Sequence, residues 1–180
     1  MGRRRRSALL WGTVIAAALY LVARGTRENA ALETAERVDL DRYQGRWFEI
    51  ARLPLIWENK CAADVTATYR VLENGTVEVV NECRKADGGM ARSQGTARVV
   101  ARDGSNARLK VTFFRPFAGD YWILRLDPEY GWALVGTPNR KNLWVLSRTP
   151  ALHPEVVGML LEWAKERGFP VEDLTFTRQA

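Results

Sequence analysis

The chain has 180 residues, 47% of them hydrophobic and 10% aromatic, which is enough for one well-filled core and too little for two generous domains. Its formal charge of +6 is shared between residues 1–39, with seven basic and four acidic side chains, and the remainder, with twenty and seventeen. The folded part is therefore only mildly basic, and Arg42, Arg46, Arg52, Arg98, Arg102 and Arg108 lie among acids and apolar residues with no interleaved aromatics, a pattern that argues against nucleic-acid binding.

Arg3-Arg4-Arg5-Arg6 precedes seventeen uncharged residues, Ser7 to Ala23, and then Arg24 and Arg27. Such flanks at an extreme N-terminus mark an export signal or a membrane anchor, and the run is at the lower edge of a spanning helix. A small-x-small cleavage site fits poorly at Leu21-Val22-Ala23-Arg24, and Asn29-Ala30-Ala31 lies far from the run. The expectation is an uncleaved N-terminal membrane helix within residues 1–24, a tether over 25–37 and a folded domain over 38–180. With no Cys in or just after the apolar run, attachment through a lipidated N-terminal Cys is excluded. The domain is expected in the cell envelope, either anchored at the inner membrane and facing the periplasm or released there.

Beyond residue 37 the hydrophobic period becomes two. Gly45 before Trp47 marks a backbone that bends tightly and then buries an indole. Strand patterns follow at 47–53, 65–71, 76–81, 95–101, 109–114, 121–126, 132–136 and 143–147, with turn residues between them. Asn74-Gly75 supplies the positive φ angles of a tight hairpin and makes the second and third strands antiparallel neighbours. Eight strands on short loops predict closure into an antiparallel up-and-down barrel, because an open meander leaves two unpaired edges. One helix follows: Pro154 suits its first turn, Val156, Leu160, Trp163 and Ala164 share a face, and Gly168 stops it. A short strand at 174–177 ends the chain.

Cys61 and Cys83 are the two cysteines. They exclude an all-Cys zinc site and suit one disulfide in an oxidising compartment, with two buried thiols as the alternative. The single histidine, His153, stands at a helix start, so no Ser-His-Asp set, no Cys-His pair and no histidine-rich metal site can form. Glu49 shares the strand register of Trp47 and would point inward, where pairing with an arginine outranks acid–base chemistry. No glycine-rich phosphate loop opens a helix. Asn74-Gly75-Thr76 is formally a glycosylation sequon, but turn geometry explains it. No catalytic residue, metal or cofactor is expected. What remains is an apolar interior, which implies a hydrophobic ligand or a barrel filled by its own side chains.

From Val38 to Arg178 the chain resembles the lipocalins, and within them the bacterial group related to apolipoprotein D and plant temperature-induced lipocalins. Gly45-Arg46-Trp47 is similar to the first family motif. Asp127-Pro128-Glu129-Tyr130 stands where the second is expected, matching it in the acidic residue and Tyr130. Leu143 to Pro150 resembles the third, with its arginine at Arg148. The resemblance implies that Arg148 lies across Trp47 and plugs one end, making Gly45, Trp47 and Arg148 structural, while cavity side chains carry the ligand. Alternation nominates Tyr69, Trp122, Leu124 and Trp144 for that cavity together with Glu49, and places Trp57 at the rim. Cys61–Cys83 would join the first loop to the third strand. The implied function is binding, storage or transport of a fatty acid, lysophospholipid or related lipid; the alternatives are an enzyme on this scaffold or a filled structural barrel. Oligomeric state is not readable.

Overall fold

In the computed structural model, residues 32–55 and 60–180 are described. Trp57 and the expected membrane segment 1–24 lie outside them. Among the described residues no helix is long and apolar enough to cross a membrane.

Leu32–Ala180 forms a compact unit of its own. Its elements run α1 (Leu40–Tyr43), β1 (Gly45–Arg52), β2 (Cys61–Val71), β3 (Val77–Lys85), β4 (Met90–Val99), β5 (Arg108–Phe114), β6 (Phe117–Leu126), β7 (Trp132–Gly136), β8 (Leu143–Ser147), α2 (Pro154–Glu166) and β9 (Thr175–Phe176). Each of β2 to β8 pairs with the next, and β1 pairs antiparallel with both β2 and β8. The eight strands thus close into a barrel, and closure removes the free edges. Because β1 starts at Trp47's end, the first loop and the β3–β4, β5–β6 and β7–β8 turns lie at the opposite, open end.

The β2–β3 turn differs from the sequence expectation by one residue. Only Gly75 has positive φ, at 77°; Leu72 and Thr76 pair around it, and the Gly75 amide donates to the Leu72 carbonyl at 2.9 Å. A three-residue loop with a left-handed glycine replaces the two-residue turn. The register shifts accordingly: Thr66 stands opposite Glu82, where a two-residue turn at Asn74-Gly75 would set it opposite Cys83. Two further irregularities in β2, at 61–66, draw Cys61 back, and the Cys61–Cys83 disulfide forms with a Cα separation of 5.5 Å.

The helix α2 lies on the outside of the wall, with Leu160 and Ala164 buried against Leu124, Leu134, Leu143 and Val145. Its stop is a Schellman motif: the Gly168 amide donates to Lys165 and the Phe169 amide to Ala164, with Gly168 at φ 83° and Phe169 buried. Residues 32–37, expected as tether, instead pack on this unit. Leu32 is buried in the helix-side cluster, the Ala35 amide donates to Ile123, and Glu33 pairs with Arg167 at 3.1 Å. An apolar Leu and Ala in a polar stretch are enough to dock it, so the folded unit begins at Leu32 rather than Val38.

After α2 the chain returns to β1. Strand β1 pairs with β2 only over Gly45–Phe48, and above that point β9 runs beside Ala51 and Arg52. The Gln179 side-chain amide donates to the carbonyls of Glu49 at 2.7 Å and Val65 at 3.0 Å, and the Asp64 amide donates to Arg178. The tail therefore satisfies backbone groups where the two strands part.

Candidate functional site: a tapering lumen and its closed end

Three separate segments meet at the closed end. Gly45 has φ 95°, and a Cβ there would stand 3.2 Å from Arg148 Nη1, so glycine is needed both for conformation and for space. The Arg148 guanidinium lies 4.0 Å over the Trp47 ring. It donates to the carbonyls of Arg46 at 3.0 Å, Arg42 at 2.8 Å, Tyr43 at 3.1 Å and Tyr130 at 3.3 Å. Tyr130, in the β6–β7 turn, accepts from the Asp39 amide at 2.9 Å and carries the Arg42 guanidinium 4.1 Å over its ring. Trp47 is fully buried, and its indole donates to the Tyr43 carbonyl at 2.8 Å. The sequence-expected pairing of Arg148 with Trp47 is thus present, and the second motif joins it through Tyr130.

Above this plug the lumen is crossed by tyrosines. The Tyr121 hydroxyl on β6 hydrogen-bonds Tyr43 at 2.9 Å and Tyr69, on β2, at 2.8 Å. In an eight-stranded barrel β2 and β6 face each other, so these side chains form a bar across the bore. Burial drives the Tyr43 and Tyr121 phenols well above their ordinary pKa; Tyr43 and Tyr69 add to the shift of Tyr121, while for Tyr43 the push from Tyr69 is opposed by the hydrogen bond with Tyr121 and by Arg148. Beside the bar a small cavity lined by Leu40, Val77, Ala97, Leu109, Val111 and Ile123 holds about one water molecule.

Toward the mouth the inward positions become small. Stepping two residues up from Tyr69 and Val79 leads to Ala67, Asn81 and Ser93, which are aligned across β2–β4. Gly119, two residues before Tyr121, would meet nothing within 4 Å if it carried a Cβ. Phe113 on β5 and Trp144 on β8 pack against the interior. Glu49 is aligned with the inward Leu146, and its buried carboxylate pairs with Arg52 at 3.3 Å and accepts from Thr177. That is the pairing expected of a buried acid. No His, Cys, Asp and Glu group among the described residues could hold a metal ion.

Of the nominated cavity residues, Tyr69 and Trp144 face the interior, and Trp122 and Leu124 do not. Both pack in the helix-side cluster; Trp122 lies under the Arg108 guanidinium at 5.0 Å, and Leu124 fills the space left by Gly136. The inward residues of β6 are Tyr121 and Ile123. A register irregularity after Ile123 then sends Arg125 outside, over Trp163, and Leu126 inward. Tyr43 and Tyr121 are lumen residues that alternation did not find.

A family model described as a lipocalin-like domain matches residues 38–179. The chain belongs to this family. It is 36% identical to temperature-induced lipocalin-1 of Arabidopsis thaliana over 160 residues, covering 85% of this chain and 86% of that protein. It is 41% identical over 142 residues to the outer membrane lipoprotein Blc of Escherichia coli K12, covering 78% and 79%. Mouse apolipoprotein D is 34% identical over 154 residues, covering 81% and 79%. Among solved structures, insecticyanin from the tobacco hornworm Manduca sexta superposes with a TM-score of 0.67 at 22% identity, over 83% of this chain and 85% of that one, a likeness of fold.

Two predictions follow from the lumen of this lipocalin. Arg148→Ala should lower stability by about 3 kcal/mol in urea unfolding, because a cation–π contact is lost and several carbonyls lose their donor. Arg148→Lys should recover less than half of that, since an ammonium lacks the planar fork. Below pH ~10 the buried phenols are protonated in both folded and unfolded chains and add no pH dependence. Above it the unfolded chain sheds those protons and the folded one keeps them, so stability should fall as pH rises. In a phenolate absorbance titration Tyr43 and Tyr121 should ionise only as the protein unfolds, and Tyr43→Phe and Tyr121→Phe should each shrink that late step.

Proposed function

We propose that this lipocalin binds and carries a single-chain lipid, a fatty acid or lysophospholipid, without catalysing a reaction on it. The observation that carries the reading is the taper of the lumen. An apolar floor on the tyrosine bar gives way toward the mouth to Ala67, Asn81 and Ser93 on one wall, a shape suited to a slender chain entering apolar end first from the open end. The names of two relatives, apolipoprotein D and an outer membrane lipoprotein, support a lipid setting. Engagement of Glu49 with Arg52 and Thr177 argues for a structural carboxylate over a general base. The water-sized space beside the bar favours one competing reading, a barrel filled by its own side chains.

The same relatives support work in the cell envelope. There the apolar run Ser7 to Ala23 replaces a lipidated Cys as the means of attachment, and the barrel faces the periplasm. An intact N-terminus in the mass of the membrane-extracted protein accords with this; a mature form starting after residue 23 overturns the anchor.

Delipidated protein titrated with a long-chain fatty acid or lysophospholipid should show tryptophan quenching that saturates near one ligand per chain. Gly119→Trp, which fills the open part of the lumen, should weaken binding at least about tenfold while leaving the unfolding midpoint unchanged. Absence of saturable binding favours the filled barrel; saturable binding indifferent to Gly119→Trp overturns a ligand seated below residue 119 in the lumen.

A further inference from the structure

We propose that the open end of the barrel docks on an anionic phospholipid bilayer through the Phe114–Phe117 hairpin, with Lys60, Arg115 and Lys141 as a cationic collar. This goes beyond ligand binding in the lumen and does not depend on it.

Three independent observations converge on that end. The first is apolar exposure. Phe114 and Phe117 are paired across the β5–β6 turn and are 77% and 78% exposed, and Met90, at the start of β4 on the neighbouring open-end hairpin, is also exposed. Two phenyl rings held out in water on a two-residue turn have no partner in the folded unit. An aromatic tip of this kind is stabilised by entering the interfacial layer of a bilayer.

The second is charge. On the hairpins at this end the carboxylates are neutralised: Asp64 by Arg84 at 2.6 Å, Asp87 by Lys85 at 2.9 Å and Asp120 by Lys110 at 2.8 Å. Lys60, Arg115 and Lys141 are exposed and have no carboxylate partner among the described residues. Arg115 lies between the two phenylalanines. The exposed acids Glu172 and Asp173 stand apart from the hairpins, ahead of β9. The surplus around the aromatic tip is therefore positive, and each unpaired cation close to an anionic surface adds attraction.

The third is where the folded chain begins. Glu33 pairs with Arg167 at 3.1 Å, and the Arg167 carbonyl accepts from Arg140, in the β7–β8 turn, at 2.7 Å. The first folded residues thus stand on the open-end side. The apolar run ends at Ala23 and the fold begins at Leu32, a stretch that reaches at most ~30 Å. On the anchor proposed above, on which this third argument rests, a tether that short favours docking by the end from which it departs.

The test uses the full chain in vesicles. Both native cysteines are in the disulfide, so Ala118→Cys and Glu73→Cys each accept one environment-sensitive fluorophore. Residue 118 lies beside the aromatic tip, and 73 is in the exposed β2–β3 turn at the closed end. In vesicles of phosphatidylcholine and phosphatidylglycerol in equal parts, with bromine on acyl carbons near the headgroup, the probe at 118 should shift to the blue and lose at least about half of its emission, and the probe at 73 less than about a tenth. Adding Phe114→Ser and Phe117→Ser should abolish the quenching at 118; both side chains are solvent-facing, so the fold is unaffected. Pure phosphatidylcholine should reduce it by at least about twofold. Quenching that is equal at 73 and 118, or that survives both serines, overturns the proposal. So does a probe at 118 that stays in water, the result expected if the tip serves a protein partner instead. Failure of fatty-acid binding leaves these readouts unaffected, so the two proposals fail separately.

Discussion

One guanidinium holds the closed end together. Arg148 donates to carbonyls from the end of α1, the start of β1 and the β6–β7 turn while covering the indole of Trp47. Three of those carbonyls, of Arg42, Tyr43 and Tyr130, belong to a helix end and a turn, where an acceptor needs a donor from elsewhere; Tyr43 also accepts from the Trp47 indole at 2.8 Å. A planar cation with five donors satisfies several at once. Gly45 permits it, because any Cβ would press on the guanidinium. Through Trp47, Tyr130 and Arg148 the three motifs recognisable in the sequence thus meet in one contact at the closed end.

Closing one end fixes what the rest of the lumen can be. Side chains near the plug must be large enough to leave no void, and Tyr43, Tyr69 and Tyr121 fill the bore while satisfying one another's hydroxyls. Hydrogen-bonding Tyr69 to Tyr121 ties opposite walls together. Away from the bar nothing demands bulk, and Ala67, Ser93 and Gly119 leave the mouth open. Outside, Trp163 lies between the guanidiniums of Arg167 at 3.9 Å and Arg125 at 5.8 Å, so α2 is held by both aliphatic packing and cations.

The barrel, its strand order and the late helix with its glycine stop were legible in the sequence, because each leaves a local signature: period two, turn residues, a capped amphipathic run; the Trp47–Arg148 plug was legible only through the resemblance of its motifs to the family's. Facing was legible only where one side of a strand meets water. Strand β6 reads Tyr121-Trp122-Ile123-Leu124, apolar throughout, because α2 covers its outer side. Alternation then carries no information about which side is in, and Trp122 and Leu124 fall on the wrong face. The β2–β3 register failed for a smaller reason. Asn-Gly fits both a two-residue loop and a three-residue loop with one left-handed glycine, and those differ by one in pairing. The tyrosine bar was invisible because its members come from α1, β2 and β6, with no sequence spacing to connect them.

The two ends of the barrel are held by different kinds of bond, and that bears on where ligand specificity can reside. At the plug, backbone carbonyls accept from one side chain, and changing Arg148, Gly45 or Trp47 disturbs groups from several segments together. Toward the mouth, β1 leaves β2 after Phe48, and the wall is completed by Gln179, Thr177 and Arg178 from the C-terminal tail. Each of those contacts is a single hydrogen bond, worth about 1 kcal/mol net. Substitutions at inward positions above the tyrosine bar therefore alter the shape of the lumen without touching the contact on which closure rests.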